Sequence, residues 1–595
     1  MSVAGKVDMT IEFFSPVYPD DLKRQSIPFS YMRVDIRSRD GGSHDVQIYS
    51  DVSSEWASGD NGAVIQWDTL SDSAVRSHIF WKQQQSVFQE DGEKAAWGRW
   101  YWSTGEKHGV TYKIGAAVDV RGQFLEHGSL DNQVDSQFRA VNDKWWCNSV
   151  LYRAFDLTLI FNRPIFALSR DLGTVRDRWV STLFTIGVVQ PDSIQWVGQK
   201  DQPQSLPSLW ASYFQENNLV PFFYHDYDHA TDYADRLDLR IHNDSVAAAG
   251  QDYASITTLS VRQTFGALAY TGTPSNPLIF LKEISSNSDI QTVDVIFPAA
   301  PIFLYLNPNL LKYLMEPLLI NARYHYPNSW SPHDLGRFPR AIGYPGGNDE
   351  LMPLEECGNM IIMMLAYSQL LHDDKYLSDN WDLIVRWAQY LIEDAKVPAN
   401  QLSTDDFAGH LANQTNLAIK GIIALYAMSE VVTRAGHEDQ SSKYSTLAKE
   451  YLSFWTQNGV NINAGHATLQ YGEKNSYGLL YNIYLDKLLG LDFIPQNIYD
   501  MQSNFYLEIQ SHYGVVLDTR SHWTKVDWEL YVAAVAKPET RRMFISKIAR
   551  WLNETPTWRA FTDLYDVDTG GYAGSIQFTA RPVVGGTFSL LALKK

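Results

Sequence analysis

The sequence has few of the features that would indicate a bound cofactor or a disulfide framework. Its 595 residues include only two cysteines, Cys147 and Cys357, which lie far apart and match no metal-binding spacing. The sequence leaves open whether they form one disulfide or remain two buried thiols. No glycine-rich phosphate loop, H-E-x-x-H zinc helix, G-x-S-x-G nucleophile elbow or paired C-x-x-C occurs. We therefore expect no cofactor and no metal, with chemistry carried by carboxylates, with or without a histidine.

Basic residues are fewer than acidic ones, and the sequence lacks the pattern of a leader segment. The formal net charge of −19 argues against nucleic acid or an anionic membrane as a partner, although an acidic surface also keeps a secreted protein soluble. We expect no apolar run of transmembrane length, and Met1–Thr10 is typical of a first strand rather than of a signal peptide. A small molecule is the expected partner, and the oligomeric state is left open.

The chain is too long for one hydrophobic core, and its first part has the two-residue period of strands. Val7–Phe14 and Ser30–Arg37 alternate between apolar and polar residues. Asp40-Gly-Gly and Asp60-Asn-Gly are turn signals between such runs. We predict an antiparallel β-sandwich over residues 1–205.

From residue 206 the period becomes helical. Leu377–Ile392 has one apolar face, with Ser378 as its expected N-cap, whereas Asn416–Val432 is apolar nearly all round and should be buried on every side. One-faced and all-round helices fit a double ring, and twelve helices in antiparallel pairs would close an α/α toroid of six hairpins. The predicted segments in residues 206–595 are 206–216, 227–238, 251–270, 307–322, 354–372, 378–395, 411–434, 440–457, 476–489, 496–509, 526–552 and 582–594.

Four acidic loops in the helical region concentrate the candidate functional residues. They are Lys282–Asp294, His333–Glu356, Leu402–Gly409 and His522–Glu529. Proline and glycine break the second loop repeatedly, and an ordered loop that leads into a helix is a common place for chemistry. Because helical hairpins separate the loops, we expect them to converge on one rim of a toroid.

Each loop also has a purely structural interpretation. The first would be a solvated hairpin turn, and His333 with Asp334 would be a hydrogen-bonded pair. Glu355 and Glu356 would form a favourable acidic first turn of a helix. The other structural alternatives are a helix cap at Thr404, Asp405 or Asp406, a Lys525–Asp527 salt bridge and an ordinary ion pair of Arg581.

Along nearly its whole length the sequence resembles the fungal glutaminase A family. The segments that carry the resemblance are RQSIPFSY (24–31), YSDVSSEW (49–56), KEISSNSDIQTVDVIFPAAP (282–301), HDLGRFP (333–339), MPLEECGNMIIMMLAYSQ (352–369), TDDFAGHLANQTNLAIKGI (404–422), KVDWELYVAA (525–534) and FTDLYD…ARPVVGGTFSLLAL (561–593).

The resemblance implies both a fold and an activity. The implied fold is an N-terminal antiparallel β-sandwich followed by a six-hairpin (α/α)6 toroid that consists of a central (206–395) and a C-terminal (396–595) family segment. The implied activity is hydrolysis of L-glutamine to L-glutamate and ammonia by a secreted, extracellular protein. Since family members usually begin with a signal and further N-terminal sequence, this chain is expected to be truncated at its N-terminus.

A more distant similarity connects the same loops with retaining β-glucosidases of the bile-acid β-glucosidase type. Those enzymes have a nucleophilic Glu followed eleven residues later by an Asp, the spacing of Glu283 and Asp294. Their P-H-D-L-G loop matches Pro332–Gly336, and their Thr-x-Asp, whose Asp is the acid/base, matches Thr404–Asp406. Their sugar-binding Glu before a Trp is matched by Asp527–Trp528, one methylene shorter.

Two hydrolase functions and one non-catalytic function follow. For an amide, no activated Ser, Thr or Cys stands out, so the route is a water activated by one carboxylate and a second acid that protonates the leaving ammonia. For a glycoside, Glu283 would attack the anomeric carbon and Asp406 would protonate the leaving oxygen. A separation of about 5–5.5 Å between the two carboxyls would then predict retention of the anomeric configuration, whereas a separation of about 6.5–9.5 Å would predict inversion. If Glu283 and Asp406 lay far apart, a toroid that only binds glycans or a partner would be favoured.

We predict a hydrolase, a glutaminase first and a retaining glycosidase second, with its pocket at the toroid mouth beside the β domain. Glu283 is the predicted nucleophile or base and Asp406 the predicted general acid, and one of the two should have a raised pKa. Glutamine or a glycoside is the expected substrate. The predicted substrate-binding residues are His333, Asp334, Asp294, Thr404, Asp527, Trp528, Glu356 and Arg581.

Overall fold

The structure is a computed structural model of the chain and describes residues 1–107, 109–142 and 163–593. It divides into two compact units. The first comprises Met1–Ile194, Ser205–Ala234 and Thr271–Pro274, and the second Gln195–Gln204, Asp235–Tyr270 and Ser275–Lys595. The division of the chain at residue 205 stays a prediction. Cys357 is a buried free thiol, and Cys147, the other cysteine of the sequence, lies outside the described residues.

The first unit is built on strands. They are β1 (Ser2–Val3), β2 (Val7–Phe14), β3 (Phe29–Ser38), β4 (His44–Ser53), β5 (Val64–Asp72), β6 (Val75–Lys82), β7 (Glu90–Asp91), β8 (Lys94–Ala95), β9 (Arg99–Gly105), β10 (Val110–Ala116), β11 (Arg139–Ala140), β12 (Pro164–Val175) and β13 (Val180–Val189). The later strands of the chain are β14 (Asp192–Trp196), β15 (Gln204–Pro207), β16 (Leu268–Thr273), β17 (Asn276–Leu281), β18 (Arg340–Ala341), β19 (Val460–Asn461), β20 (His466–Ala467), β21 (Trp523–Lys525) and β22 (Leu564–Asp566).

Two antiparallel sheets contain most of the strands of the first unit. The larger has the strand order β1-β2-β3-β13-β9-β6-β5-β11, and the smaller has the order β10-β12-β4. Register is continuous between β3 and β13, where Phe29 pairs with Gly187 and Ile36 with Val180, whereas it shifts between Asp171 and Thr174 where β12 pairs with β4. The predicted antiparallel β-sandwich is confirmed.

Both faces of the larger sheet are buried within the first unit. Along β3, Tyr31 belongs to one core, and Val34 and Ile36 belong to another, as the two-residue period of a strand requires. Val34 and Ile36 share their core with Phe166 of the smaller sheet. Tyr31 instead stacks on Phe223 of a helix, with ring centroids 4.1 Å apart. The larger sheet is therefore the middle layer of this unit.

Most of the helices lie in the later part of the chain, although α1 and α2 lie among the strands of the first unit. They are α1 (Leu22–Gln25), α2 (Ala117–His127), α3 (Glu216–His225), α4 (Tyr227–Ala249), α5 (Gln251–Gly266), α6 (Val293–Leu306), α7 (Pro308–Tyr324), α8 (Pro353–Leu371), α9 (Asp374–Asp379), α10 (Trp381–Asp394), α11 (Thr415–Arg434), α12 (Ser441–Gly459), α13 (Tyr484–Leu488), α14 (Gln496–Glu508), α15 (Val526–Val535), α16 (Pro538–Glu554) and α17 (Ser589–Ala592). The 3-10 turns Tyr481–Ile483 and Pro582–Phe588 run directly into α13 and α17.

Six almost completely buried segments form an inner ring in the second unit. They are α6, α8, α11, residues 481–488, α15 and residues 582–592. Along the ring α6 contacts α8, α8 contacts α11, α11 contacts 481–483, 481–483 contacts α15, α15 contacts 582–588, and 582–588 returns to α6. A more exposed helix precedes each inner segment: α5, α7, α10, α12, α14 and α16 in turn. This is the predicted toroid of six hairpins.

The burial patterns explain which helices lie inside. On the outer helix α10, Ile384, Trp387, Ala388 and Leu391 are buried at the spacing of one helical face. On the inner helix α11, every residue from 415 to 425 is buried. By length and composition α11 is long and apolar enough to cross a membrane, contrary to our expectation of no such run, but 83% of its apolar window is buried inside the fold. It is therefore a core helix.

Some helix predictions were wrong. Ser378 does not cap α10, because it lies inside α9 and donates its hydroxyl to the carbonyl of Lys375. The segment 206–216 contains only a short 3-10 turn, Leu209–Ser212, before α3 begins. The inner helix α6 was not predicted, because Pro298 and Pro301 lie inside it. It persists because it is packed on nearly every side, so tertiary contacts outweigh the proline penalty.

We predict that removing Lys420 destabilises the inner ring. Its fully buried ammonium on α11 pairs with the equally buried Glu355 on α8 and donates to Asn359 Oδ1 at 2.8 Å. Lys420→Met would leave Glu355 buried without its cation, at a cost of about 3–5 kcal/mol in the free energy of unfolding. Chemical denaturation measures this cost. The exposed Lys449→Met is the matched control, expected within about 0.5 kcal/mol of wild type, and an equally small effect at Lys420 would contradict the prediction.

Candidate functional site

The predicted site residues gather at the N-terminal ends of the inner segments. Asp294, Glu356 and Asp527 lie in the first turns of α6, α8 and α15, and Arg581 directly precedes residues 582–592. Since an outer helix returns the chain between successive inner segments, the inner segments run in one direction. Their N-termini therefore meet at one end of the ring, which is where the positive ends of the helix dipoles favour carboxylates.

Glu283 follows β17 and is buried, so Lys282–Asp294 is not a solvated hairpin turn. Its carboxylate receives three donors. Nη2 of Arg581 lies 3.3 Å from Oε1, Thr292 donates its hydroxyl to Oε2 at 3.0 Å, and Ser286 donates to Oε1. These contacts fix the orientation of the carboxylate.

A buried histidine lies between two aspartates. Nδ1 of His333 is 2.8 Å from Oδ2 of Asp334, and Nε2 is 3.3 Å from Oδ1 of Asp294. Burial opposes the charged imidazole, but the two aspartates outweigh burial and raise the pKa of His333 well above its usual value. The structural pairing of His333 with Asp334 is therefore confirmed, and Asp294 joins it.

The pKa of Asp294 is lowered. Burial acts to raise it, but the contact with His333 and the charges of Arg581 and Lys525 outweigh burial. Thr404 binds the same residue through the backbone, since its hydroxyl is 3.4 Å from the carbonyl oxygen of Asp294. Thr404 is thus at the site.

Asp406 is half-buried and close to the same group. Burial, with the negative charges of Asp294 and Glu283, raises its pKa to about 6, although the charge of Arg581 opposes the shift. Its Oδ1 accepts the N–H of Phe407 at 2.8 Å. The charge of Glu283 therefore acts on this carboxyl, while the expected separation of the two carboxyls stays a prediction.

Neither Asp405 nor Asp406 caps the helix that follows, contrary to one structural alternative. That helix, α11, begins only at Thr415 and has no side-chain cap. Asp405 is buried and accepts Tyr481 Oη at 2.8 Å and Trp528 Nε1 at 3.1 Å. Trp528 is fully buried, so its contact is with Asp405 and Tyr481 within the fold. The ring of Trp528 therefore has no face exposed to a substrate.

A second charge cluster surrounds Asp527. Lys525 Nζ lies 3.4 Å from Asp527 Oδ2 and 3.9 Å from Asp563 Oδ2, and Nη1 of Arg581 lies 3.0 Å from the same oxygen of Asp563. The predicted Lys525–Asp527 salt bridge is confirmed. No hydrogen bond reaches either carboxylate oxygen of Asp527 from the residues described. Burial raises the pKa of Asp527 to about 6, against the opposing charge of Lys525.

Glu356 is completely buried beside the histidine. Burial and the charge of Asp294 raise its pKa well above the usual value. Asn359 Nδ2 donates to its Oε2 at 3.0 Å. Asp294, His333 and Glu356 each offer a ligand atom, and these atoms lie within 4.8 Å of one another. They are the residues that could hold a metal.

Two half-buried acids belong to the site but were not among the predicted site residues. Burial, with the charges of Asp334 and Glu283, raises the pKa of Asp289 to about 7. Burial also raises the pKa of Glu350, with the charge of His333 opposing and that of Asp406 adding to the shift. Their position in the first two acidic loops was the available sequence signal.

Half-buried aromatic rings lie beside Asp406. The ring of Phe407 is 6.3 Å from that of Trp523 and 6.0 Å from that of Phe578, and the guanidinium of Arg581 lies 4.4 Å from the centroid of Phe578. These partly exposed faces suit the apolar face of a ligand that also carries polar groups.

Comparisons with known proteins give matches to two family models and to two related proteins. Residues 250–591 match the Glutaminase A six helical-hairpin domain, and residues 1–244 match a domain of unknown function, DUF5127. The chain is 50% identical over 599 residues to "Glutaminase A" of Aspergillus oryzae, covering 100% of this chain and 84% of that protein. It is 34% identical over 695 residues to "Probable glutaminase" of Arthroderma benhamiae, covering 100% and 78%. A bacterial glucoamylase complexed with acarbose aligns at 10% identity and a TM-score of 0.46, covering 99% of this chain and 81% of the glucoamylase.

We predict that a buried acid on the helix of Asp527 makes stability depend on pH. Burial raises the pKa of Glu529 to about 8, above the value of about 4.3 in an unfolded chain. The folded state then binds more protons, so this contribution to stability is complete below pH about 4.3 and is lost as the pH rises through about 8. The thermal midpoint should fall between pH 5 and 8, and less steeply in Glu529→Gln. The exposed Glu473→Gln should keep the wild-type slope, and an unchanged slope in Glu529→Gln would disprove the assignment.

Proposed function

The chain belongs to the glutaminase A family, and we propose that it hydrolyses the side-chain amide of L-glutamine to L-glutamate and ammonia at the acidic end of its helical ring. The observation that carries this function is similarity at 50% identity along the entire chain to a protein named Glutaminase A. Secretion of this chain remains a proposal from the family resemblance alone.

The carboxyls of Glu283 and Asp406 supply a base and an acid for this reaction. In the proposed step a water oxygen bonds to the amide carbon of the substrate while Glu283 takes one proton from that water. Asp406 gives a proton to the amide nitrogen as the carbon–nitrogen bond breaks and ammonia leaves. The proton then passes from Glu283 to Asp406 through solvent, so one water is consumed per turnover.

The charges at the site suit an amino acid that carries both an ammonium and a carboxylate group. Asp527 keeps both oxygens without a hydrogen-bond donor from the described part of the chain. Arg581 and Lys525 supply positive charge close by. We propose that Arg581 attracts the carboxylate group and that the negative charge of the completely buried Asp527 acts on the ammonium group from within the fold. The other predicted residues would support the pocket without contacting the two charged groups of the substrate: His333, Asp334, Asp294, Thr404 and Glu356.

A retaining β-glycosidase is the second candidate. The specific observation in its favour is the group of aromatic rings beside Asp406, formed by Phe407, Trp523 and Phe578. Such rings stack on sugar faces, and an acid with a raised pKa next to a second carboxylate also fits glycoside hydrolysis. In that reaction Glu283 would bond to the anomeric carbon, and Asp406 would protonate the leaving oxygen and then deprotonate the water that releases the sugar.

We predict that purified protein releases ammonia from L-glutamine and that this activity depends on both carboxyls. Asp406→Asn and Glu283→Gln should each lower kcat about 10²–10⁴-fold, because general acid–base groups contribute on that scale. The exposed Asp439→Asn is the matched control and should keep full activity. Ammonia release that survives both substitutions would remove this site. Turnover of aryl glycosides lost in both variants, with no turnover of glutamine, would instead favour the second function.

We predict an alkaline limb in the pH profile. As the general acid, Asp406 must be protonated in the free enzyme, and its pKa is about 6. The value of kcat/KM for glutamine should therefore fall tenfold per pH unit once the pH exceeds about 6. Initial rates between pH 4.5 and 8.5 test this limb. Its persistence in the residual activity of Asp406→Asn would assign it to another group.

A further inference from the structure

Asp294, His333 and Glu356 form a compact set of metal-ligand atoms inside the ring. One side-chain atom from each lies within 4.8 Å of the others, and all three residues are buried. His333 Nε2 and Asp294 Oδ1 are already 3.3 Å apart. This distance matches the separation of about 3.4 Å between two ligands of a tetrahedral ion bound at about 2.0–2.1 Å.

Glu356 provides a second observation that points to a ligand. Its Oε2 accepts a hydrogen bond from Asn359, but its Oε1 is fully buried and has no partner among residues 1–107, 109–142 and 163–593. A buried carboxylate oxygen without a donor or cation carries the whole cost of its desolvation. A bound cation would remove that cost.

The surroundings of His333 have the form of a support for a metal ligand. Its Nδ1 is 2.8 Å from Oδ2 of Asp334, which leaves Nε2 for the side of Asp294. Asp334 is itself fixed, since Oδ1 accepts the N–H of Gly336 at 2.6 Å and the hydroxyl of Tyr344 at 2.9 Å. A carboxylate on the far nitrogen commonly orients a metal-bound histidine and raises its basicity.

We propose that Asp294, His333 and Glu356 bind a divalent transition-metal cation of the zinc or manganese class, with Asp334 as the positioning residue of His333. One imidazole nitrogen and two carboxylate oxygens suit these ions. Three protein ligands leave a coordination position open. The ion takes the place of the proton between His333 and Asp294, and it neutralises the excess negative charge of the cluster.

This site stands apart from the proposed reaction, and the two are tested separately. Full-length protein is treated with a chelator, dialysed into metal-free buffer and titrated with Zn²⁺ or Mn²⁺ alone by calorimetry, and bound metal is counted by mass spectrometry. We expect about one ion per chain. Metal-free protein that hydrolyses glutamine but binds no ion would refute the site and keep the glutaminase. Protein that binds the ion but does not hydrolyse glutamine would support the metal site and refute the proposed glutaminase activity.

Variants locate the ion. Asp294→Asn and Glu356→Gln should each weaken metal binding by more than about 100-fold, and Asp334→Asn by about 10–100-fold, the usual scale for a supporting residue. Glu529→Gln removes an equally buried glutamate outside the cluster and should bind metal as wild type does. Circular dichroism checks that each variant folds.

A spectroscopic measurement covers the case in which a ligand variant fails to fold. Co²⁺ added to metal-free wild-type protein should give the visible bands of a nitrogen- and oxygen-bound ion, and one equivalent of Zn²⁺ should displace it. Stoichiometric binding with these bands supports the site. The absence of stoichiometric binding by folded wild type, or equal binding by folded Asp294→Asn and Glu356→Gln, would overturn it.

Discussion

The parallel arrangement of the six inner segments is the constraint on which the rest of the second unit depends. Outer helices return the chain each time, so every inner segment begins at the same end of the ring. Residues that are hundreds of positions apart in sequence, such as Glu283 and Arg581, therefore come within 3.3 Å. The same arrangement directs the N-terminal ends of several helix dipoles toward one cluster of carboxylates, which offsets part of their mutual repulsion.

Charge balance at that end is incomplete, and the imbalance shifts the pKa values of its acids. The cations are His333, Arg581 and Lys525, and more carboxyls than cations surround them. At Asp294, the contact with His333 and the charges of Arg581 and Lys525 outweigh burial and lower the pKa. The half-buried acid Asp406 has less compensation, so burial and its acidic neighbours hold its pKa at about 6. Acids with different pKa values thus coexist in this cluster because their neighbours differ.

Much of this architecture follows from local sequence, and the departures have physical reasons. Alternation predicts β2 and β3, and all-round apolarity predicts the inner position of α11, because both patterns report burial directly. The helix α6 was not predicted because its two internal prolines disfavour a helical backbone. Only the packing of the ring outweighs that local effect. The functions of the acidic pairs also need three dimensions. Asp405 and Asp406 are neighbours in sequence, yet only the fold directs one to Tyr481 and the other toward Glu283.

Closure of the ring by residues 582–592 has a consequence for biosynthesis. This segment is the last of the six to leave the ribosome, and it fills the gap between α15 and α6. Until it arrives, the apolar flanks of those two helices stay uncovered and Glu283 lacks its arginine. The apolar surface of α6 and α15 that these residues cover in the finished fold therefore stays exposed until the end of synthesis, and transiently exposed surface of this kind promotes aggregation.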